Sequence, residues 1–316
     1  MRRLPFEARR AVISQLTPRT LILMPTLSIV TGTAGWFLAH RIPFPPDRGD
    51  KIRSHHLLKA LAALAPVHVA TLADDARDWD QEGELQAISA SYCLQRRSKP
   101  LALAGVEAVL KGVPVSRTAF HHPALERYVA QVLRDRPIDT IVGYSSQMGQ
   151  YIPATFGGRV LFDFVDVDSA KWTQYADQHK WPMSWVYRRE GEQLLRYERA
   201  VAAKSARSFF VTEKETALFA ELAPECAIRV ETMANGVDSE FFAPSETFVS
   251  PYQAGDIPVV FTGAMDYWPN IDAAQWFVKS VLPELCASRP QIKFFVVGRN
   301  PPPELQALAS DRVVVT

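Results

Sequence analysis

Short apolar runs alternate with helix-periodic stretches along almost the whole chain. The strand-like runs are Trp36–His40, Val67–Thr71, Thr140–Gly143, Val160–Phe164, Ser208–Thr212, Ile228–Glu231, Val259–Gly263, Lys293–Gly298 and Val313–Thr316. Helical patterns separate them at Lys51–Leu64, His122–Arg134, Ser184–Ala203 and Glu213–Leu222. Parallel strands need such a crossover, so the alternation predicts an α/β, doubly wound sheet. At about 100–200 residues per domain, 316 residues allow about two domains. Between Met233 and Pro258 periodicity gives way to Pro and Gly. The expected organisation is a leader over 1–34 outside the fold, a Rossmann-like domain over 35–235, a linker over 236–256 and a partial second Rossmann-like domain over 257–316. About sixty residues bury too little surface to form such a domain alone. The closing run Val313–Thr316 carries no turn or cap and would expose a sheet edge, so the chain is expected to be cut short.

Charge narrows the function classes. Thirty-five basic residues face 34 acidic ones, without the basic excess of a general nucleic-acid binder. Three widely spaced cysteines, Cys93, Cys226 and Cys286, fit neither a disulfide framework nor a zinc site, which points to a reducing compartment. Leu21–Ala39 has 19 uncharged residues. Pro25, two glycines and three threonines weaken it as a spanning helix, so it reads as a leader followed by a buried strand. A membrane anchor and a cleaved signal are the alternatives.

Four segments carry chemistry. The first is Arg41–His56, where a strand ends in a Pro-rich loop and Gly49 precedes a helix. Ligands of doubly wound sheets bind at such strand ends. Asp50 is expected to cap the helix. Lys51 and Arg53 oppose its dipole in the first turn and suit an anionic ligand; a solvated charged turn is the plain alternative. The loop lacks the G-x-G-x-x-G pattern of dinucleotide sites. The second segment, Leu161–Trp172, runs a strand into Asp163, Asp166 and Asp168. Asp166 and Asp163 are the stronger candidates to bind sugar hydroxyls or take a proton, with an Asp168 or Ser169 helix cap as the alternative.

The third is Asn235-Gly236-Val-Asp238, a turn whose backbone can approach a ligand. The fourth is Val259–Asp272, in which Gly263 and Asp266 follow a strand and Asn270 or Asp272 can cap the next helix. Phe295–Asn300 repeats the strand-to-Gly pattern, with Arg299 placed to meet a phosphate. Ser145, after the strand ending at Gly143, can touch a ligand or cap a helix. Adjacent histidines (His55-His56, His121-His122) do not share a helix face, so a metal site is not expected. Trp172, Tyr175, Trp181, Trp185 and Tyr187 lie among Lys180, Arg188 and Arg189, the makings of either core or an interfacial patch.

FLAHRIPFPPDRGDKIRSHHLLKAL, DFVDVDSAKWTQYA, NGVD, FTGAMDYWPNIDAAQWF and VVGRNPPPEL occur in this order. Together they resemble glycosyltransferase family 4, of GT-B fold. The likeness is strongest to sugar transferases associated with PEP-CTERM/exosortase exopolysaccharide loci, and it runs from about Phe37 to the last residue. The resemblance implies a retaining, metal-independent transferase without a cofactor. Its donor is a nucleotide-sugar and its acceptor a glycan or polyprenyl-linked molecule. It implies a cytoplasmic protein, with peripheral contact at the inner membrane face as an option. By analogy Gly49, Lys51 and Arg53 lie near the diphosphate or the transferred sugar, and Asn235 and Gly236 near the donor at the hinge. Two departures stand out. Relatives usually place Arg and Lys after the first strand of the second domain, where Ala264–Asn270 has neither. By the resemblance, the family's E-x7-E donor segment should follow later than these strands, and the chain is expected to end before it. A binding module without transfer chemistry is therefore the alternative, and a membrane-anchored subunit using Leu21–Ala39 the third.

Overall fold

The structure is a computed structural model that describes residues 34–245 and 247–316. The chain divides into two compact units, the first ending at Val237 and the second running Asp238–Thr316. Residues 1–33 of the expected leader lie outside the described residues. The end of the apolar stretch, Gly35–Ala39, is a fully buried strand.

In the first unit the strands are β1 (Gly35–Ala39), β2 (Val67–Ala73), β3 (Ser91–Arg96), β4 (Thr140–Tyr144), β5 (Arg159–Val165), β6 (Arg207–Phe210) and β7 (Val230–Thr232). They form one parallel sheet in the order β3-β2-β1-β4-β5-β6-β7. The order reverses between β1 and β4, and crevices of doubly wound sheets open at such a reversal. The helices used below are α1 (Gly49–Leu64), α2 (Leu101–Lys111), α3 (Pro123–Asp135), α4 (Asp168–Gln178), α5 (Met183–Lys204) and α6 (Glu213–Leu222).

Alternation along β1 explains why its sequence is apolar throughout. Phe37 and Ala39 join Leu58 and Leu61 of α1 on one face. Trp36 and Leu38 join Leu125 and Val129 of α3 on the other. With both faces covered, period two leaves no position for a polar residue. Farther along, Phe162, Phe164, Phe210 and Phe219 stack between β5, β6 and α6.

One strand escapes the periodicity. β3 reads Ser-Tyr-Cys-Leu-Gln-Arg and buries only Leu94. It is an edge strand, half solvated, so its sequence does not need the apolar run that marks the central ones. β5 also ends differently from a simple continuation, because Val165 has a φ of 71°. A β-branched residue in that region is a genuine outlier, and it stops the strand before Asp166.

The second unit holds a parallel sheet of β8 (Ile257–Thr262), β9 (Ile292–Val297) and β10 (Val313–Val315) in the order β10-β9-β8. Helices α7 (Trp268–Trp276) and α8 (Leu282–Ser288) pack against it through Ala274, Leu282, Phe294 and Val296. Gly263 and Gly298 follow β8 and β9 and touch backbone to backbone. A Cβ at Gly298 would lie 1.8 Å from the Gly263 carbonyl oxygen. No described helix is long and apolar enough to cross a membrane.

Candidate functional site

The candidate site of the first unit gathers at the carboxyl ends of β1, β2, β4 and β5. Ala39 lies opposite Tyr144 in the β1–β4 register, so the next residues, His40 and Ser145, emerge side by side at the reversal. His40 stacks on Tyr144, whose hydroxyl donates to the Asp50 carbonyl (2.8 Å). These contacts hold the start of α1 against β4.

Around them runs a charged network that sequence reading missed. Arg41 donates to Asp50 (2.9 Å) and to Asp74. Arg97 donates to the other Asp74 oxygen (2.6 Å), and Arg48 lies 3.4 Å from Asp50 and 3.7 Å from Asp74. Three guanidiniums thus share two carboxylates, all part-exposed. A signal was present: Asp74 lies one residue beyond β2, at the crevice end of a strand. Arg97 was hidden because β3 itself was not recognised.

The site's electrostatics follow from this packing. Burial pushes the Asp50 carboxyl up, but His40, Arg41 and Arg48 outweigh it and hold it well below the usual carboxylate range. Burial pulls His40 below the ordinary imidazole value despite the neighbouring Asp50. His40 Nε2 faces Arg41 Nη1 at 3.1 Å, while Nδ1 has no protein partner.

Lys51 and Arg53 are placed differently from the expectation of a ligand-facing first turn. The Lys51 side chain is 3% exposed; its ammonium donates to Asp78 and to the Phe44 carbonyl. Arg53 makes a two-pronged bond to Asp163 (2.7 and 3.2 Å) and also donates to Asn235 Oδ1 (2.9 Å) and the Met233 carbonyl (2.7 Å). Both cations point into the unit. A first turn that opposes its helix dipole is tolerated here because each charge has a buried counter-charge. Asp50 does not cap α1: the N-cap is Arg48, and Asp50 stands within the first turn.

Asp163 is the acceptor of that pair and is 1% exposed, so it faces the interior and not the crevice. Burial raises its carboxyl, opposed by Arg53. Asp166 comes after the turn at Val165 and is about a third exposed. Lys171 donates to both Asp166 (2.7 Å) and Asp168 (3.1 Å). Neither Asp168 nor Ser169 caps α4. Val167 holds that position and donates its N–H to Glu215 (2.6 Å), while Ser169 turns inward to Glu198.

Ser145 has a φ of 68°; its N–H donates to the Asp163 carbonyl (2.8 Å) and its hydroxyl to Gln147 (2.6 Å). Gly49 and Gly236 each have open space where a Cβ would stand. Gly49, Asp50, Lys51, Arg53, Ser145, Asp163 and Asn235 are thus drawn into one region of the first unit.

In the second unit Gly263, Asp266 and Arg299 come together at the ends of β8 and β9. The Met265 N–H donates to the Arg299 carbonyl (3.1 Å), and Asn300 donates to Asp266 (3.1 Å). Neither Asn270 nor Asp272 caps α7, whose N-cap is Tyr267; Asn270 donates instead to the Ala264 carbonyl. Among the described residues no group of three or more His, Cys, Asp or Glu is placed to hold a metal ion.

No protein-family model matches the chain, and no curated protein does. Solved structures do. Sucrose-phosphate synthase from Thermosynechococcus elongatus is 15% identical with a TM-score of 0.54, over 90% of this chain and 70% of that one. The catalytic domain of starch synthase IV from Arabidopsis thaliana, bound to ADP and acarbose, is 11% identical with a TM-score of 0.52, over 90% and 73%. The fold is GT-B-like. At such identities the likeness speaks for the fold alone. The N-terminal domain of trehalose-6-phosphate phosphatase from Candida albicans matches as well, at 11% identity and a TM-score of 0.54, over 90% and 72%.

Proposed function

We propose that the chain is a retaining glycosyltransferase of the family 4 type. It moves a sugar from a nucleotide-sugar to a glycan or polyprenyl-linked acceptor, in the synthesis of an exopolysaccharide or another cell-surface glycan. The observation that carries this reading is the cluster at the β1–β4 reversal, where Arg41, Arg48 and Arg97 outnumber Asp50 and Asp74. An excess of fixed positive charge at the crevice of a GT-B-like fold suits an anionic substrate group.

The residues divide by what they touch. Arg41, Arg48 and Arg97 face the anionic group. Asp166 orients the acceptor hydroxyl once Lys171 yields it. Lys51 and Arg53 act from behind, fixing α1 and the loop before it through Asp78 and Asp163. Gly263, Asp266 and Arg299 of the second unit serve the donor. The acceptor oxygen bonds to the anomeric carbon on the face from which the diphosphate leaves. The sugar–phosphate bond breaks, and the departing diphosphate takes the hydroxyl proton. This route needs neither a protein base nor a metal ion.

The test is release of nucleoside diphosphate from UDP-, GDP- and ADP-sugars with lipid-linked and glycan acceptors, with the product anomer read by NMR. Arg41→Ala should lower kcat/KM by about a hundredfold while circular dichroism is unchanged. No release from any donor, or an inverted product, would overturn the proposal.

A further inference from the structure

The helix α2 is turned inside out. Its buried residues are the small ones, Ala104 and Ala108. Its large apolar residues face outward: Leu103 is 57% exposed, Val106 59%, Val109 54% and Leu110 82%. At about 100° per residue these four occupy one continuous arc of about 120°, away from the two alanines. A solvated helix normally shows the reverse, and an exposed apolar stripe of this size marks an interaction surface.

Arg189 of α5 extends the surface. It donates to the Ala108 carbonyl (2.9 Å), tying the carboxyl end of α2 to the first turns of α5. Trp185 lies one turn before Arg189 on the same helix face and is 56% exposed; Trp181, just ahead of α5, is 81% exposed. The aromatic segment therefore splits in two. Trp172, Tyr175 and Tyr187 pack on one another, while Trp181 and Trp185 face solvent.

The charges beside the stripe choose its partner. Lys99 and Lys111 both pair with Glu107 of α2, Arg188 of α5 pairs with Asp177, and exposed Lys180 precedes Trp181, so four cations meet two carboxylates. An apolar helix face with two exposed indoles and an excess of cations nearby in the chain matches the surface of an anionic bilayer. Such a helix lies in the headgroup layer, with its lysines reaching to phosphate. We infer that α2 and the start of α5 form an in-plane docking surface for anionic lipid. This stands apart from the transfer reading, because it is measured by binding alone.

The experiment is sedimentation of the full chain with vesicles of phosphatidylglycerol and phosphatidylcholine, beside pure phosphatidylcholine. The chain should sediment with the anionic vesicles, less so at high salt. The double variant Leu103→Ser, Leu110→Ser should bind about tenfold more weakly or worse. Both sites are exposed, so its thermal melt should match the parent. Lys111→Gln with Lys180→Gln should weaken binding to anionic vesicles only. No binding by the parent, or full binding by the serine variant, would overturn the inference. So would a parent dimer that the serine variant dissociates while vesicle binding persists, since a second copy would then cover the stripe.

Discussion

Arg53 and Asp163, 110 residues apart, meet in a two-pronged buried ion pair that fastens α1 to the end of β5. Removing one partner leaves the other charged in the interior, which costs about 3–5 kcal/mol. Asp163→Asn should therefore lower stability by about that amount in urea unfolding. Arg53→Met combined with Asp163→Leu should recover much of the loss, since two apolar groups leave no orphan charge. A cost for Asp163→Asn below about 1 kcal/mol would show that the pair is not a keystone.

Glu198 offers a test by pH. It lies buried in α5, accepts from Ser169 (2.6 Å) and leaves its second oxygen without a partner. Burial pushes its carboxyl up to about 8, only partly offset by Ser169. The folded chain therefore keeps a proton that the unfolded chain loses above the ordinary glutamate value. The contribution is fully present in acid and falls as pH rises, by about 1.4 kcal/mol per unit between about pH 5 and 8. Glu198→Gln should flatten this part of the stability curve relative to the parent. Parallel curves would refute the assignment.

The second unit depends on the approach of Gly263 and Gly298. Gly298→Ala would drive a methyl group into the Gly263 carbonyl, and neither backbone can step aside without breaking the β8–β9 register. A loss of about 1–3 kcal/mol is expected in thermal unfolding. An unchanged melt would mean that the strand ends are looser than the contact implies.

Lys171 separates structure from turnover. Burial pulls its ammonium down, but Asp168 and Asp166 outweigh this and raise it. The cluster is part-exposed, so Lys171→Met should change stability by less than about 1 kcal/mol. In the proposed reaction it should lower KM for the acceptor by releasing Asp166, whereas Asp166→Asn should raise it. Equal effects of the two substitutions would remove Asp166 from acceptor binding.

The sheet was legible because burial on both faces forces central strands such as β1 and β4 to be apolar without interruption. The edge strand β3 was not, since solvent on one side relieves that demand. For the candidate site, the meeting of its residues at one sheet end was legible, but the orientation of their side chains was not. Strand ends and loop glycines marked the region of Gly49, Ser145 and Asn235. Which cation faces the crevice depends on counter-charges far away in sequence, Asp78 for Lys51 and Asp163 for Arg53. Those pairings exist only after the strands are in register, so no local pattern announces them.

The left-handed kink at Val165 has a further consequence. It turns one short acidic run through two environments, leaving Asp163 locked inside and Asp166 at the rim. Evolution can therefore retune the rim position without disturbing the lock three residues earlier. In the proposed reaction, substitutions there should alter which acceptor is favoured, and those on the inner side should decide whether the protein accumulates at all.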